Sequence, residues 1–532
     1  MEIRLYKNHT IRNVWRRALA VAVCFCLLPA AEALHRIDPD QCEPLPDNSS
    51  FHHAAMARFS TQSGSAELWA DSQRLQALID ALDSLAADGL EPADYHTDAL
   101  KHALAHFKTW GQLGKCDIRL ANDAYLRALT DLRFGKTHKR EEHAIWYAAT
   151  LSRGEDPGGV VTLALNGLDN LAQALTDARP DLPRYRYLRR GFVQAQADFP
   201  QTWAQVPNGP TLEKGDRGDR VALLRERLAA EGYLTSPPAV RGQLGAPFDD
   251  DLELAVERFQ RRHSLTVDGK VGARTIDELN ISPQQRLEQI RANLERLRWL
   301  ARDMERTLLL VDIAAARIHY YEDGDLIWSG RAQVGKPRRA TPELKSVITH
   351  VTVNPHWNMP RSIFLRDALP SILRDPLYLS KRGIRVYDRE GNELTQTEAD
   401  WSNPHGLRLR QDPGPGNALG QVALRFSNPF AVYLHDTPAA SLFESQNRFY
   451  SSGCVRVEDA MTLTRMLFRH ASPDFKQHFE TVRTSGESQN IHLPRGVYIL
   501  MAYWTAEADA SGQITYRPDV YGSDGQLLAL LE

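Results

Sequence analysis

Apolar residues recur along this chain with two different periods, and the switch between them divides it. Leu75, Leu78, Ile79, Leu82 and Leu85 fall at i, i+3 and i+4 spacing, the stripe of a core-facing helix. Gly89-Leu90-Glu91-Pro92 breaks it. Ala124, Tyr125, Ala128, Leu129 and Leu132 repeat the stripe within Asn122–Arg133, and Val160–Leu175 and Arg184–Ala197 read alike. These segments predict a helical scaffold over residues 66–205. They hold no cluster of catalytic type, and Asp94-Tyr95-His96 reads as a helix connection. Pro283–Glu305 adds a helix with Ile290, Leu294, Leu297 and Leu300 on one face, expected to pack back on the scaffold. Between these lies a separate module, Leu212–Asn280, of three short helices. Its first helix starts at Val221, Phe248-Asp249-Asp250-Asp251 supplies capping residues for Leu252–His263, and Ala273–Leu279 closes it. Phe259 and Leu224 read as its core.

After residue 306 the period falls to two. Thr307–Asp312 and Arg317–Tyr321 alternate, and Glu322-Asp323-Gly324-Asp325 leads into Leu326–Ser329 as a hairpin. Ala332–Val334, Ser346–Val353 and Val497–Trp504 continue a sheet, so residues 306–506 are predicted to be β-rich. Residues 360–420 interrupt it. Ser362–Arg374 looks helical, while Gly383–Asp388 and Asn403–Leu409 look irregular. A long insertion ahead of a strand that carries chemistry is the expected place for a lid. Residues 507–532 read as a C-terminal extension.

Length and composition change the picture little. The chain has 532 residues, 42% hydrophobic and 25% charged, enough for several globular domains. A net charge of −3 gives no electrostatic footprint for nucleic acid. The N-terminus is more telling. Arg4, Lys7, Arg12, Arg16 and Arg17 precede an apolar run, Ala18–Ala31, with Ala31-Glu32-Ala33 as an A-x-A site. Residues 1–33 therefore read as an export signal, with an uncleaved inner-membrane anchor as the alternative. Residues 34–65 read as a flexible leader. Of the five cysteines, Cys24 and Cys26 lie in the signal, leaving Cys42, Cys116 and Cys454. An odd number of thiols in an oxidising compartment leaves one free. If Cys454 is used chemically, Cys42 and Cys116 remain to form a disulfide; two unpaired buried cysteines are the alternative. No His or Cys spacing suits a metal, so neither a metal nor another cofactor is expected.

The candidate chemistry lies in Ala431–Val457. A strand-like run, Ala431–Leu434, ends in His435, and a polar loop leads to Ser451-Ser452-Gly453-Cys454-Val455-Arg456. A thiol attacks only as thiolate, and a nearby charged imidazole lowers its pKa well below the free value. Attack on an amide also needs donors for the developing oxyanion, and Gly453 lets backbone N–H groups approach it unobstructed. His435 and Cys454 are thus a candidate base and nucleophile; a strand-end histidine and a buried small hydrophobe are the bland alternative. Tyr433 lies two residues before His435, on the same strand face.

A histidine, a loop and then Ser-x-Gly-Cys-x-Arg resembles the signature of the L,D-transpeptidases with a YkuD-type catalytic domain. The family commonly shows Ser-His-Gly-Cys where this chain has Ser451-Ser452-Gly453-Cys454. Asn354–Ile363, Arg410–Gly420 and Tyr433–Pro438 resemble the YcbB-like periplasmic subfamily, which tends to carry Ser-Ser-Gly-Cys. Leu212–Asn280 resembles the small three-helix peptidoglycan-binding module. The resemblance implies a multidomain α+β protein: helical scaffold, peptidoglycan-binding module and β-rich catalytic domain with a capping insertion. It implies a periplasmic wall-building enzyme, with a part in cell shape, that forms 3→3 cross-links between tetrapeptide stems. Cys454 would form the acyl-enzyme, releasing D-Ala, and carbapenems would acylate it. His435 would be general acid and base, Gly453 and Cys454 N–H groups the oxyanion donors, and a backbone carbonyl near Ser451 the partner orienting His435. Ser452 belongs to the same motif. Arg456 binds a substrate carboxylate or supports the nucleophile loop, and Tyr433 and Trp357 are candidate substrate contacts, with Trp401 a further candidate cavity wall. An L,D-carboxypeptidase or amidase using the same thiol is the alternative, and a non-catalytic wall-binding protein a more distant one. The local Cys-Gly-x-Cys-Trp pattern of papain-like proteases is absent.

Overall fold

The computed structural model describes Cys42, Leu45 and residues 49–137, 146–148, 157–234, 246–301 and 304–532. Leu45–Glu532 is one compact unit; the other, Met1–Pro44, contributes only Cys42 to the described residues. The expected export signal lies outside them. No described helix is long and apolar enough to cross a membrane.

The N-terminal helices pack around Lys115–Phe134, whose Ala121, Ala124, Tyr125, Ala128, Leu129 and Leu132 are all buried. Each fully buried leucine contributes roughly 1.5–3 kcal/mol, so this stripe outweighs weak local propensity. Three helix boundaries differ from the periodicity reading. Ser50–Ser63, placed in the leader, is a helix of this core: Ser49 caps it and Ala55 and Phe59 are buried. Its apolar positions are too sparse to signal themselves, and a buried His52–Asp123 contact of 2.6 Å completes the seating. Val160–Leu175 is two helices, Pro157–Asn166 and Leu171–Ala178, because the Asn170 side chain caps the second. The helix expected over Pro283–Glu305 ends at Leu300.

That helix, Pro283–Leu300, is the spine of the molecule. Ser282 and Gln285 form its capping box. Ile290, Leu294, Leu297 and Leu300 pack with Tyr185, Leu188 and Phe192 of the helix Pro183–Asp198 and with Leu308, Leu310 and Leu500 of the sheet. The expected C-terminal extension also belongs to this junction. A hairpin, Ala506–Ala508 with Ile514–Tyr516, and a helix, Ser523–Leu531, pack on the spine, where Arg296 meets Asp524 at 2.5 Å.

The sheet of the β-rich part closes on itself. From Glu343–Val353 the order runs through Val422–Phe426, Leu434–His435, Val455–Val457, Asp325–Gly335, Arg317–Glu322, Leu308–Asp312 and Gln489–Ala502, which pairs back to Glu343–Val353. Closure removes exposed edges. Its core is Leu309, Val311, Ile318, Val334, Ile348, Leu424, Leu434, Val455 and Ile499, with their neighbours.

The three-helix module, with Leu224 and Phe259 in its core, comprises Asp219–Ala230, Asp250–Arg262 and Ala273–Leu279. The insertion has its own core around Phe364, Ile372, Leu379, Val386 and Leu409. Two of its segments expected to be irregular are strands: Ile384–Tyr387 and Arg408–Gln411 pair in a four-stranded sheet with Trp357–Asn358 and Glu393–Leu394. At two to four residues each, these strands are too short to display alternation.

Candidate active site

Two parallel strands make the site. Leu434 pairs with Val455 and His435 with Arg456, and the Val455 N–H donates to the Tyr433 carbonyl. The strand expected from Ala431 is only Leu434–His435, because Ala431 takes φ +55° and Asn428 ties off Phe430 and Val432. Register thus sets Cys454 opposite Tyr433, two pairs before His435 opposite Arg456. At about 4.8 Å between strands and 3.3 Å per residue, the Cα atoms of His435 and Cys454 stand about 8 Å apart, on one face.

His435 is 5% exposed. Its Nδ1 lies 2.6 Å from the Asp436 carbonyl oxygen. A carbonyl only accepts, so Nδ1 carries the proton and the lone pair is on Nε2. This corrects the expected orienting group near Ser451. The Ser451 carbonyl accepts from Lys336 N–H instead, and a backbone carbonyl has no sequence signature. The Asp436 carboxylate faces away and accepts from Gln421 N–H.

Burial pulls His435 down to about 3, with the Arg456 charge adding to it and the Asp436 carbonyl opposing. Burial also pushes the Cys454 thiol up, against the Tyr433 hydrogen bonds and the Arg425 and Arg456 charges. At neutral pH the pair is therefore imidazole and thiol, and the expected effect of a charged imidazole on the thiol is absent in this resting state. A neutral imidazole is the form able to accept a proton.

Tyr433 bridges the two groups. Its ring lies 5.6 Å from that of His435, and burial beside the Cys454 thiol pushes its hydroxyl up. Arg425, which sequence reasoning missed, sits 4.1 Å over the Tyr433 ring. Arg456 donates to Gln333 of the neighbouring strand at 2.9 Å while its Nε is buried without a partner.

The turn Ser451–Cys454 corrects a second expectation. The Gly453 N–H, expected to face the oxyanion, donates to Ser451 Oγ at 3.1 Å. Ser451 Oγ in turn donates to the Cys454 carbonyl at 2.5 Å. Gly453 has φ +113°, a conformation that requires glycine. Ser452 is exposed and accepts from Arg339, another unforeseen residue, which also grips Asp367 of the insertion. Trp357 lies half-buried on a strand at the insertion's base. Trp401 belongs to the insertion's core, its indole N–H on the Gln396 carbonyl and its ring edge-on to Phe364. Cys42 and Cys116 are each disulfide-bonded, which leaves Cys454 as the free thiol among the described cysteines. No group of three or more His, Cys, Asp or Glu among the described residues suits a metal ion.

Residues 306–468 match the family model of the L,D-transpeptidase catalytic domain, 54–191 that of a scaffold domain, and 217–279 that of a putative peptidoglycan binding domain. A putative L,D-transpeptidase of Haemophilus influenzae is 35% identical over 222 residues, 41% of this chain and 45% of that protein. The match thus spans less than half the length of that relative. Among solved structures, an L,D-transpeptidase from Mycobacterium smegmatis is 14% identical, covering 37% of this chain and 58% of its own, with a TM-score of 0.17. One from Xylanimonas cellulosilytica is 16% identical, covering 56% and 99%, with a TM-score of 0.18.

Proposed function

This chain carries an L,D-transpeptidase catalytic domain and a peptidoglycan-binding domain, and on that premise we propose that it cross-links exported cell wall by two-step acyl transfer through Cys454. His435 Nε2 takes the thiol proton as sulfur attacks the carbonyl between the L-centre of a diamino acid and the terminal D-Ala of a tetrapeptide stem. The C–N bond breaks, and the proton passes from His435 to the departing D-Ala amine. The side-chain amine of a second stem then attacks the thioester, loses its proton to His435 and returns the sulfur as thiol. The product is a 3→3 cross-link. The Cys454 N–H stabilises the oxyanion, Arg456, Tyr433 and Trp357 contact the stem, and the capping insertion restricts water so that an amine wins the second step. The N-terminal segment directs export to the periplasm or holds the protein at the inner membrane.

One observation carries this reading: the imidazole is fixed by Nδ1 to a carbonyl and stays neutral, on the strand beside the only free described thiol. Mass analysis of muropeptides incubated with the full chain tests it. Wild type yields 3→3 dimers and free D-Ala, Cys454→Ala yields neither, and His435→Gln slows the reaction by about 10²–10⁴-fold. Dimers from Cys454→Ala reject the nucleophile. Trimmed stems without dimers, even with added amine acceptor, identify the hydrolase instead.

A further inference from the structure

The nucleophile turn is held by side chains from outside the catalytic strands. Thr341, buried at 3% exposure, donates from Oγ1 to the Gly453 carbonyl at 2.9 Å and accepts from Gly335 N–H at 2.8 Å. One hydroxyl hydrogen and one acceptor contact fix its direction. Tyr521, near the C-terminus, braces the same point. Its hydroxyl donates to the Gly335 carbonyl at 2.6 Å and accepts from Thr341 N–H at 3.3 Å, while its ring stacks on Tyr503 at 5.0 Å. The backbone is tightly packed here: a Cβ on Gly335 would lie 2.2 Å from the Arg339 carbonyl oxygen.

A trans peptide is planar, so its C=O and N–H point in opposite directions. The contact that holds the Gly453 carbonyl toward Thr341 therefore aims the Cys454 N–H the opposite way. Among the described residues no group accepts from that N–H, whereas the Gly453 N–H is committed to Ser451. We propose that Thr341 is a positioning residue for acyl transfer: it sets the plane of the Gly453–Cys454 peptide, so that the Cys454 N–H meets the oxygen of the tetrahedral intermediate. This rests on the acyl-transfer reading given above.

Thr341→Val keeps the side-chain shape but removes the donor, leaving the Gly453 carbonyl unpaired and the peptide plane unpinned. Loss of one aimed oxyanion donor lowers kcat by about 10²–10³-fold, with KM little changed. Thr341→Ser restores most of the rate. Alkylation of Cys454 by iodoacetamide is the control, because it forms a C–S bond with loss of iodide and develops no oxyanion. Its rate in Thr341→Val should match wild type. If alkylation and transfer fall together, Thr341 only supports the thiol or the fold, and the proposal is overturned. Unchanged transfer in Thr341→Val also overturns it, leaving the transferase reading intact. A wild-type chain that alkylates at Cys454 yet forms no acyl-enzyme from a tetrapeptide donor removes both.

Discussion

The three-helix module and the capping insertion each have an apolar core of their own, yet they are joined to the molecule by opposite means. The module's seam is buried and ionic. His263 stacks between Phe259 at 3.9 Å and Tyr516 at 5.1 Å. Arg286 lies 4.6 Å over Tyr516 and donates to Glu278 at 2.7 Å, and Arg227 meets Glu231 at 2.8 Å. Arg262 and Ser264 donate to the hairpin carbonyls of Ile514 and Tyr516. The insertion is held by amides and a half-exposed ion pair. At its two stems Asn354 reaches the Val482 carbonyl and Asn417 the Pro355 carbonyl, and Arg339 pairs with Asp367, whose side chain is 42% exposed. Removing one partner of a buried pair leaves an uncompensated charge, at about 3–5 kcal/mol, whereas an exposed pair is worth about 0–1 kcal/mol. The module is thus fixed to the rest of the fold by buried charges, while the insertion's one ion pair here is half-exposed and adds little to hold it.

The largest expected effect breaks the module side. Arg286→Met strands Glu278 and should lower the unfolding free energy by about 3–5 kcal/mol in urea titrations. A loss under about 1 kcal/mol would mean the buried charges do not hold the seam. Acid should then separate the two regions. Burial alone would raise Glu231, but His263, Arg227 and Arg286 together hold it down to about 2. A depressed carboxylate adds stability that is present above its unfolded value of about 4.3 and lost as the pH falls through its folded value. Between about pH 4 and 2, therefore, hydrogen exchange should rise first in Asp250–Arg262, ahead of the core strands of the insertion. Equal loosening of both would erase the contrast. The smallest effect sharpens the insertion side. Asp367→Ala should cost no more than about 1 kcal/mol yet speed alkylation of Cys454, because it frees the insertion from Arg339. An unchanged alkylation rate would show that this contact does not gate the thiol.

Some of this was legible before folding. The helical stripe through Ala124, Leu129 and Leu132, the hairpin at Asp323-Gly324 and the spine's apolar face are all local periodicities that the fold keeps. His435 and Cys454 were candidates from type and context, and parallel pairing of their strands brings them to one end of the sheet. The helix at Ser50–Ser63 did not, because its seating depends on His52 meeting an aspartate 71 positions away. Arg425, Arg339 and Thr341 carry no motif and act only through neighbours brought to them.

By itself, then, the sequence determined the helical and sheet-forming stretches, the module and the candidate pair His435 and Cys454, since period, turn chemistry and side-chain type are local properties. Only the tertiary structure decided the electrostatic state of that pair, the carbonyl that orients His435 and the N–H left free at Cys454. Each of these depends on burial or on the direction of a backbone dipole, and neither exists until distant strands have met.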